Sequence, residues 1–170
     1  ATAVDFDISA DTITVSGDVN FTNLGTFTIN AASQVTFNGT GTLTPAGETF
    51  PDIVLGNNAD VTLTGNLDIN GNLSSNATAT DFDISGDTVT ITGGLDFSNL
   101  TALTTDATSA FVFDGVGTVD SGTLTFPDVT LDNNADITTS DDWTIGGDLT
   151  TNATAVDFDI SADTITVSGD

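Results

Sequence analysis

An internal repeat limits the folds open to this chain more than any other feature. Residues 1–18 read ATAVDFDISADTITVSGD and recur unchanged at 153–170, while residues 77–94 carry the same segment with conservative changes. The stretch 1–76 aligns with the stretch 77–152 without a gap, so that TFPD at 49–52 matches TFPD at 125–128. Self-similarity at a fixed period predicts an array of similar structural units, each packed on its neighbours.

The repeat divides the chain into three stretches that abut without a linker. Residues 1–76 form repeat unit A, residues 77–152 form repeat unit B, and residues 153–170 begin the next unit A. The third copy matches the first better than the second, which indicates a two-part period that spans residues 1–152. Repeat folds need atypical end units, and this chain shows none, so we expect a window cut from a longer periodic protein.

Apolar and polar residues alternate along most of the chain, as Phe6 and Ile8 do with Asp5 and Asp7. Strict alternation predicts β-strands that bury one face and expose the other to water. The strand-like phrases are rich in Thr, Val, Ile and Phe, and short turns rich in Gly, Asn and Asp separate them. No apolar pattern recurs at helical spacing, so we expect an all-β protein with essentially no α-helix.

Two all-β architectures accommodate many short strands: a parallel β-solenoid, or β-helix, and tandem antiparallel β-sandwiches. The units abut directly, similar strand–turn–strand phrases recur within a unit, and each unit is short for a sandwich, which takes about 100 residues. These observations favour the solenoid, with about three to four coils per unit if a coil takes roughly 20 to 25 residues. The axial repeat is then expected to match the span 1–152, or about 29 to 38 Å at a coil spacing of ~4.8 Å.

Longer phrases, such as TFTINAASQVTFNGTGTLT and ADVTLTGNLDINGNLSSNATA, resemble the repetitive passenger regions of large bacterial surface proteins. The family type is that of filamentous-haemagglutinin-like exoproteins and autotransporter adhesins, and the resemblance is one of composition over most of the chain. It implies a right-handed parallel β-helix, a location outside the cell or at its surface, and an adhesive or fibrous role. It assigns a function to no individual residue.

The charge of the chain narrows the classes of partner and of activity. Its 25 acidic residues are accompanied by no Lys, Arg or His, which leaves a net charge of −25. Such a surface repels nucleic acid and anionic membranes, and no run approaches the ~20 apolar residues that a membrane helix needs. Because His, Cys and Lys are missing, the common general bases and strong nucleophiles are missing too, and we predict that the chain is not an enzyme.

Calcium is the one cofactor that the acidic phrases suggest. The candidate ligands are the carboxylates of three Asp-Phe-Asp strands and of the turn after each strand: Asp5, Asp7, Asp11, Asp81, Asp83, Asp87, Asp157, Asp159 and Asp163. Carboxylates at i and i+2 of a strand lie about 7 Å apart, so one Ca²⁺ ion would also need turn carbonyls or a neighbouring coil. The alternative is a solvated face that keeps the protein soluble and blocks lateral pairing of strand edges.

Two main hypotheses for function follow from this form. The first is a structural segment of a long, repetitive extracellular fibre or filament, in which the chain partners itself by head-to-tail or continuous stacking of coils. The second is the stalk or binding region of a cell-surface adhesin that contacts a glycan or another cell. An ice-binding solenoid is a minor alternative, because Thr-x-Thr phrases such as Thr12/Thr14 and Thr88/Thr90 recur, although at irregular intervals.

Overall fold

The computed structural model describes residues 4–76, 78–132, 134–152 and 157–169. Within these ranges the chain forms 24 short β-strands and no α-helix. Three strands make one coil, and about eight coils stack on one another. Every described strand pairing is parallel, so the predicted β-solenoid is confirmed and the antiparallel sandwiches are excluded.

Each coil contributes one strand to each of three faces, which we call faces A, B and C. Face A carries β1 (Val4–Asp7), β4 (Leu24–Thr28), β7 (Thr49–Phe50), β10 (Leu67–Ile69), β13 (Thr88–Ile91), β16 (Ala110–Phe113), β19 (Asp128–Leu131) and β22 (Leu149–Thr151). Face B carries β2 (Thr12–Val15), β5 (Gln34–Phe37), β8 (Asp52–Leu55), β11 (Leu73–Ser75), β14 (Leu95–Asp96), β17 (Val116–Asp120), β20 (Asp136–Thr139) and β23 (Asp157–Asp159). Face C carries β3 (Val19–Asn20), β6 (Thr40–Thr44), β9 (Asp60–Leu63), β12 (Asp81–Asp83), β15 (Ala102–Thr104), β18 (Thr125–Phe126), β21 (Trp143–Ile145) and β24 (Ile165–Val167).

The described ladders join each strand to the third strand after it in the chain. Face B is one ladder of eight strands, whereas the ladder of face A is interrupted between β4 and β7 and that of face C between β15 and β18. The coils differ in length: a short coil brings Asp52 into register with Gln34, and a longer one brings Val119 into register with Leu95. At these lengths each repeat unit comprises three to four coils, as predicted.

One repeat unit does not contain a whole number of coils. A shift by one repeat unit carries β1 onto β12 and β12 onto β23, a step of eleven strands each time. Because eleven is not a multiple of three, the same sequence lies on face A in β1, on face C in β12 and on face B in β23. The span 1–152 comprises 22 strands, or seven and one-third coils, and its rise of about 35 Å lies within the expected range. The copy returns on another face, so the span relates its copies by a screw operation and not by a pure axial translation.

The core runs through the middle of the coils and takes every second side chain of the strands. In the C-terminal half of the core, aromatic rings stack in a row. The ring centroids of successive members are 5.3 to 6.1 Å apart, and the members are Phe97, Phe111, Phe126 and Trp143. All four side chains are at most 1% exposed. Full burial of a large apolar side chain contributes about 1.5 to 3 kcal/mol, and a chain without Cys, Lys or Arg depends on this packing and on its ladders.

Equivalent side chains are buried in the middle of the stack and partly exposed at its ends. Phe82 of β12 is 1% exposed, whereas its equivalent in β1, Phe6, is 37% exposed. Ile84 is fully buried, whereas Ile160, which follows β23, is 41% exposed. The side chain is the same in each pair, so Phe6 and Ile160 lack the cover that a further coil provides, whereas Ile8 of the first coil is already 1% exposed.

Candidate functional site

The nine predicted calcium ligands form three sets on three different faces. Asp5 and Asp7 lie on β1 of face A, Asp81 and Asp83 on β12 of face C, and Asp157 and Asp159 on β23 of face B. The repeat therefore distributes these carboxylates around the solenoid and does not align them along one side. As predicted from the alternation, all six point away from the core, with the intervening Phe82 of β12 buried.

The second Asp of each phrase closes a local turn. The Oδ1 atoms of Asp7, Asp83 and Asp159 accept hydrogen bonds from the backbone N–H two residues later, at 2.8, 2.9 and 2.8 Å. This interaction holds the pKa of Asp7 below its ordinary value, because the N–H and then the hydroxyl of Ser9 stabilise the carboxylate. These three carboxylates thus begin the turn that leads to the next strand.

Other members of the predicted sets connect neighbouring coils. The Gly65 N–H donates to Asp87 Oδ2 at 3.0 Å, and the Thr104 hydroxyl donates to Asp81 Oδ2 at 2.9 Å. The Thr139 hydroxyl donates to Asp163 Oδ2 at 2.6 Å. Asp5 and Asp11 are exposed. The described residues include no group of three or more acidic side chains placed to hold a metal ion, and a specific Ca²⁺ site stays a prediction from the sequence.

Within the described residues, three pairs of Asp face each other in register on adjacent coils. The pairs are Asp60 with Asp81, Asp136 with Asp157, and Asp96 with Asp120. The first two are the same pair in successive repeat units, so the sequence reproduces this contact. Adjacent strands lie about 4.8 Å apart, and like charges directly opposite each other on a sheet are destabilising.

Sequence reasoning missed a second group of polar side chains, which hydrogen-bond the coil corners together. Asp52 Oδ1 accepts the Asn72 N–H at 2.7 Å, and Asn72 Oδ1 accepts the Gly94 N–H at 2.8 Å, which links three successive coils. The equivalent bond in the next unit runs from the Asp148 N–H to Asp128 Oδ1 at 2.9 Å. The available signal was an Asp or Asn directly after a Pro or a Gly, as in Pro51-Asp52 and Gly71-Asn72, recurring at about one coil length.

Two corner carboxylates have a lowered pKa for the same physical reason. Asp18 Oδ1 accepts the Thr42 N–H at 2.9 Å and the Thr42 hydroxyl at 3.0 Å, and these donors lower the pKa of Asp18. Asp106 Oδ1 accepts the N–H and the hydroxyl of Thr108, both at 2.8 Å, which lowers the pKa of Asp106. Both carboxylates are therefore held in the ionised form, in which they accept these hydrogen bonds.

The outward Thr residues form columns that other residues interrupt. On face A, Thr90, Val112, Thr130 and Thr150 follow one another in register. On face B, Thr14 and Thr36 are followed by Val54. Each of these columns lies within one repeat unit, so the interruptions come from the sequence of successive coils, in which Val54 and Val112 take the place of Thr.

Two grooves on the described surface are lined by both outward polar residues and buried apolar residues. One has a volume of about 320 Å³, and it is lined by Asn72, Leu73, Ser74, Gly94, Leu95, Asp96, Val116, Gly117 and Thr118. The other has a volume of about 350 Å³, and it is lined by Thr105, Asp106, Ala107, Thr125, Phe126, Pro127, Asp128, Gly146 and Gly147. The first groove combines hydroxyl, amide and carboxylate groups with Val116, which is 69% exposed.

No protein-family model, curated protein or solved structure matches this chain. The described part of the chain contains no helix with the length and hydropathy of a membrane span.

Proposed function

We propose that this chain is a structural segment of a long, repetitive fibre outside the cell or at its surface. The observation that carries the proposal is the unequal burial of equivalent side chains, such as Phe82 at 1% and Phe6 at 37% exposure. Stacking of a further coil, from the same chain or from the next one, buries the apolar side chains of the end coils and pairs their open strand edges. The proposal gives the chain no enzymatic role.

The number of coils in each repeat unit supports a rod whose length grows with the number of repeats. Each repeat unit contains eleven strands at three strands per coil. At ~4.8 Å per coil, one unit therefore adds about 18 Å to the axis and nothing to the width. Repeats that share coils in this way cannot separate into independent globules.

The surface charge supports a well-hydrated exterior. Asp side chains project from all three faces, and no Lys or Arg is present to pair with them on a neighbouring rod. Mutual repulsion keeps such rods apart in solution. The absence of Lys and Arg also removes every trypsin-type cleavage site, which suits an exposed protein.

Tandem arrays of residues 1–152 in one, two and four copies test the fibre. Small-angle scattering should show a constant cross-section, with about 35 Å added to the length for each copy. Oriented samples should give a meridional reflection near ~4.8 Å, because the strands run nearly perpendicular to the axis. Arrays that behave as flexible strings of globules would refute the proposal.

Location is tested separately, on intact cells of the source organism. Antibodies raised against the folded chain should label unpermeabilised cells or filaments shed from them. Label that appears only after permeabilisation would remove the extracellular part of the proposal and leave the rod geometry in place.

An adhesin stalk that itself binds a glycan is the second candidate, and the first surface groove favours it. Sugar hydroxyls suit the polar groups of Asn72, Ser74, Asp96 and Thr118, and Val116 offers an apolar surface beside them. A glycan array probed with the chain should give hits that Val116→Asp abolishes and Val4→Asp, at the exposed residue of the first strand, retains. If both substitutions abolish glycan binding, or if the chain binds no glycan on the array, only the structural role remains.

A further inference from the structure

Two Asn residues of this chain are directly followed by Gly: Asn38 by Gly39, and Asn70 by Gly71. Asn is one of the thermolabile residues of proteins, because the next backbone nitrogen can attack the carbon of its side-chain amide, Cγ. Gly favours this attack, since it has no Cβ to hinder the approach and adopts backbone conformations that other residues avoid. Gly39 has such a conformation, with a φ of 131°. Whether the fold permits the attack depends on what holds the Gly nitrogen.

At many other Asn residues the following backbone nitrogen is held by a hydrogen bond. The N–H group that follows Asn donates to a backbone carbonyl at 2.9 to 3.1 Å after Asn20, Asn23, Asn57, Asn58, Asn72, Asn99 and Asn134. This bond must break before the nitrogen can turn towards the Asn side chain, which leaves the carbonyl without its donor. The fold therefore protects these Asn side chains.

The nitrogens that follow Asn38 and Asn70 are not held in this way. Within the described part of the chain, the N–H groups of Gly39 and Gly71 donate no hydrogen bond. The backbone groups on either side are anchored. The N–H groups of Asn38 and Asn70 donate to the preceding coil at 2.7 Å, and the carbonyls of Gly39 and Gly71 accept from the next coil at 3.1 and 2.9 Å. The nitrogen between these anchors is the one unbonded backbone donor of each pair.

The side-chain amides of the two pairs are also accessible. Among the described residues, neither the Nδ2 atom of Asn38 nor that of Asn70 has a hydrogen-bond partner, so each can leave as ammonia. Asn70 is exposed and Asn38 is half-buried, so water reaches both. The Thr92 hydroxyl donates to Asn70 Oδ1 at 3.3 Å, which draws electron density from the Cγ atom under attack.

We propose that Asn38 and Asn70 are sites of spontaneous deamidation, with water as the co-reactant. The Gly nitrogen forms a bond to Cγ, the bond between Cγ and Nδ2 breaks, and ammonia leaves with the proton that the Gly nitrogen loses. Water then opens the resulting succinimide ring, and no atom is oxidised or reduced. Opening at Cγ gives Asp, and opening at the main-chain carbonyl carbon gives isoaspartate, in which the main chain is one methylene longer.

The second repeat unit shows that the fold does not require either Asn. Asp114 occupies the position of Asn38, and Gly146 occupies that of Asn70. The corner after Asp114 keeps its link to the next coil, because the Gly115 carbonyl accepts an N–H there at 2.9 Å. Conversion to Asp therefore adds one negative charge for each event and leaves the coil in place. The proposal goes beyond the fibre function and does not depend on it.

Incubation of the folded full-length chain at mildly alkaline pH tests the proposal. Anion exchange should resolve products with one and with two added negative charges. They should form faster as pH rises, because the attacking nitrogen must lose its proton. The chain has no Lys or Arg for trypsin, so pepsin provides the peptide map. In heavy-oxygen water, the peptides with Asn38 and Asn70 should take up label at least tenfold faster than peptides with any other Asn.

The second repeat unit supplies matched control variants. Asn38→Asp and Asn70→Gly each introduce the residue found one repeat later, so both variants should fold. Each should remove one of the two acidic products, and the double variant should stay a single species under the same incubation. Circular dichroism checks that the variants keep their β structure.

A parallel incubation in urea separates the effect of the fold from that of the local sequence. Asn57 and Asn58 should take up label faster in urea than in the folded chain, because unfolding releases the N–H groups that follow them. The proposal is overturned if Asn38 and Asn70 react in urea but stay amides in the folded chain. It is also overturned if Asn57 or Asn58 reacts as fast as they do in the folded chain. Neither result changes the rods expected from tandem arrays, so failure of this proposal is distinguishable from failure of the fibre function.

Discussion

Single carboxylates in this solenoid have two opposite effects on stability. Asp18, Asp52 and Asp128 accept backbone N–H groups of the next coil, which satisfies donors at corners where the ladder is interrupted. Asp60 and Asp81 instead face each other in register, so each raises the electrostatic energy of the other. Whether an Asp stabilises or destabilises is therefore decided by what lies beside it on the next coil.

The first prediction concerns the pair of Asp60 and Asp81. Asp81→Asn removes one of two facing charges but keeps an acceptor for the Thr104 hydroxyl. It should raise the free energy of unfolding by about 0.2 to 1 kcal/mol at low ionic strength. The gain should vanish near ~1 M NaCl, where the screening length is about 3 Å. Urea denaturation measures both values.

The matched control is Asp83→Asn on the same strand. Asp83 has Thr62 and Thr104 as in-register neighbours, so its replacement removes a charge that faces no other Asp in register. Asn at this position keeps an Oδ1 acceptor for the Ser85 N–H, as Asn at position 81 does for the Thr104 hydroxyl. The difference in unfolding free energy between the two variants measures the repulsion between Asp60 and Asp81. Equal stabilisation by both would show that the facing arrangement of Asp60 and Asp81 contributes nothing.

The second prediction concerns the titration of Asp18. Its pKa is lowered in the folded chain, so the ionised form adds stability above the unfolded-state pKa, and this is lost as pH falls through the folded-state pKa. Carbon NMR of the carboxyl group should show a midpoint below the ordinary Asp value. Thr42→Val should raise that midpoint only in part, because the N–H of residue 42 remains. A wild-type midpoint at the ordinary value would contradict the assigned hydrogen bonds.

At the scale of elements, the strands could be predicted from sequence because alternation is a local property. Phe82 between Asp81 and Asp83 is buried as its pattern requires. The relation between coil and repeat could not be predicted, because the corners differ in length and no single coil length holds along the chain. The candidate metal ligands were grouped by sequence similarity, and the structure separates them because eleven strands do not fill whole coils.

The third prediction concerns a corner element with a buried serine. Ser109 is 1% exposed, and its hydroxyl donates to the Ile84 carbonyl at 3.1 Å and accepts the Asp106 N–H at 2.9 Å. Ser33 makes the equivalent contacts with Ile8 and Asn30. Ser109→Ala removes the acceptor of the Asp106 N–H and one of two donors to the Ile84 carbonyl, which keeps the Asp87 N–H. The unsatisfied Asp106 N–H should cost about 1 to 3 kcal/mol in urea denaturation. Ser85→Ala, at an exposed turn position, should change stability by less than about 0.5 kcal/mol.

At the scale of the whole molecule, the contribution of a side chain to stability depends on the position of its coil in the stack. The fourth prediction compares one substitution at two equivalent positions. Phe82→Asp buries a charge between two coils and should cost several kcal/mol. Phe6→Asp, in the first coil, should cost clearly less, because Phe6 is already 37% exposed. Thermal unfolding followed by Trp143 fluorescence measures both, and equal losses would contradict the half-covered state of the first coil.

The last prediction follows from the mismatch between repeat and coil. Each unit of eleven strands advances the stack by three and two-thirds coils, so equivalent residues should recur about 18 Å further along the axis and a third of a turn around it. Equivalent positions return to the same face after three units, which comprise eleven coils or about 53 Å. Electron-dense labels on Cys placed at Asp7, Asp83 and their equivalents in a tandem array should therefore trace a three-fold screw. Labels aligned along one side would require a whole number of coils per repeat, and the face assignments of β1, β12 and β23 would then be incorrect.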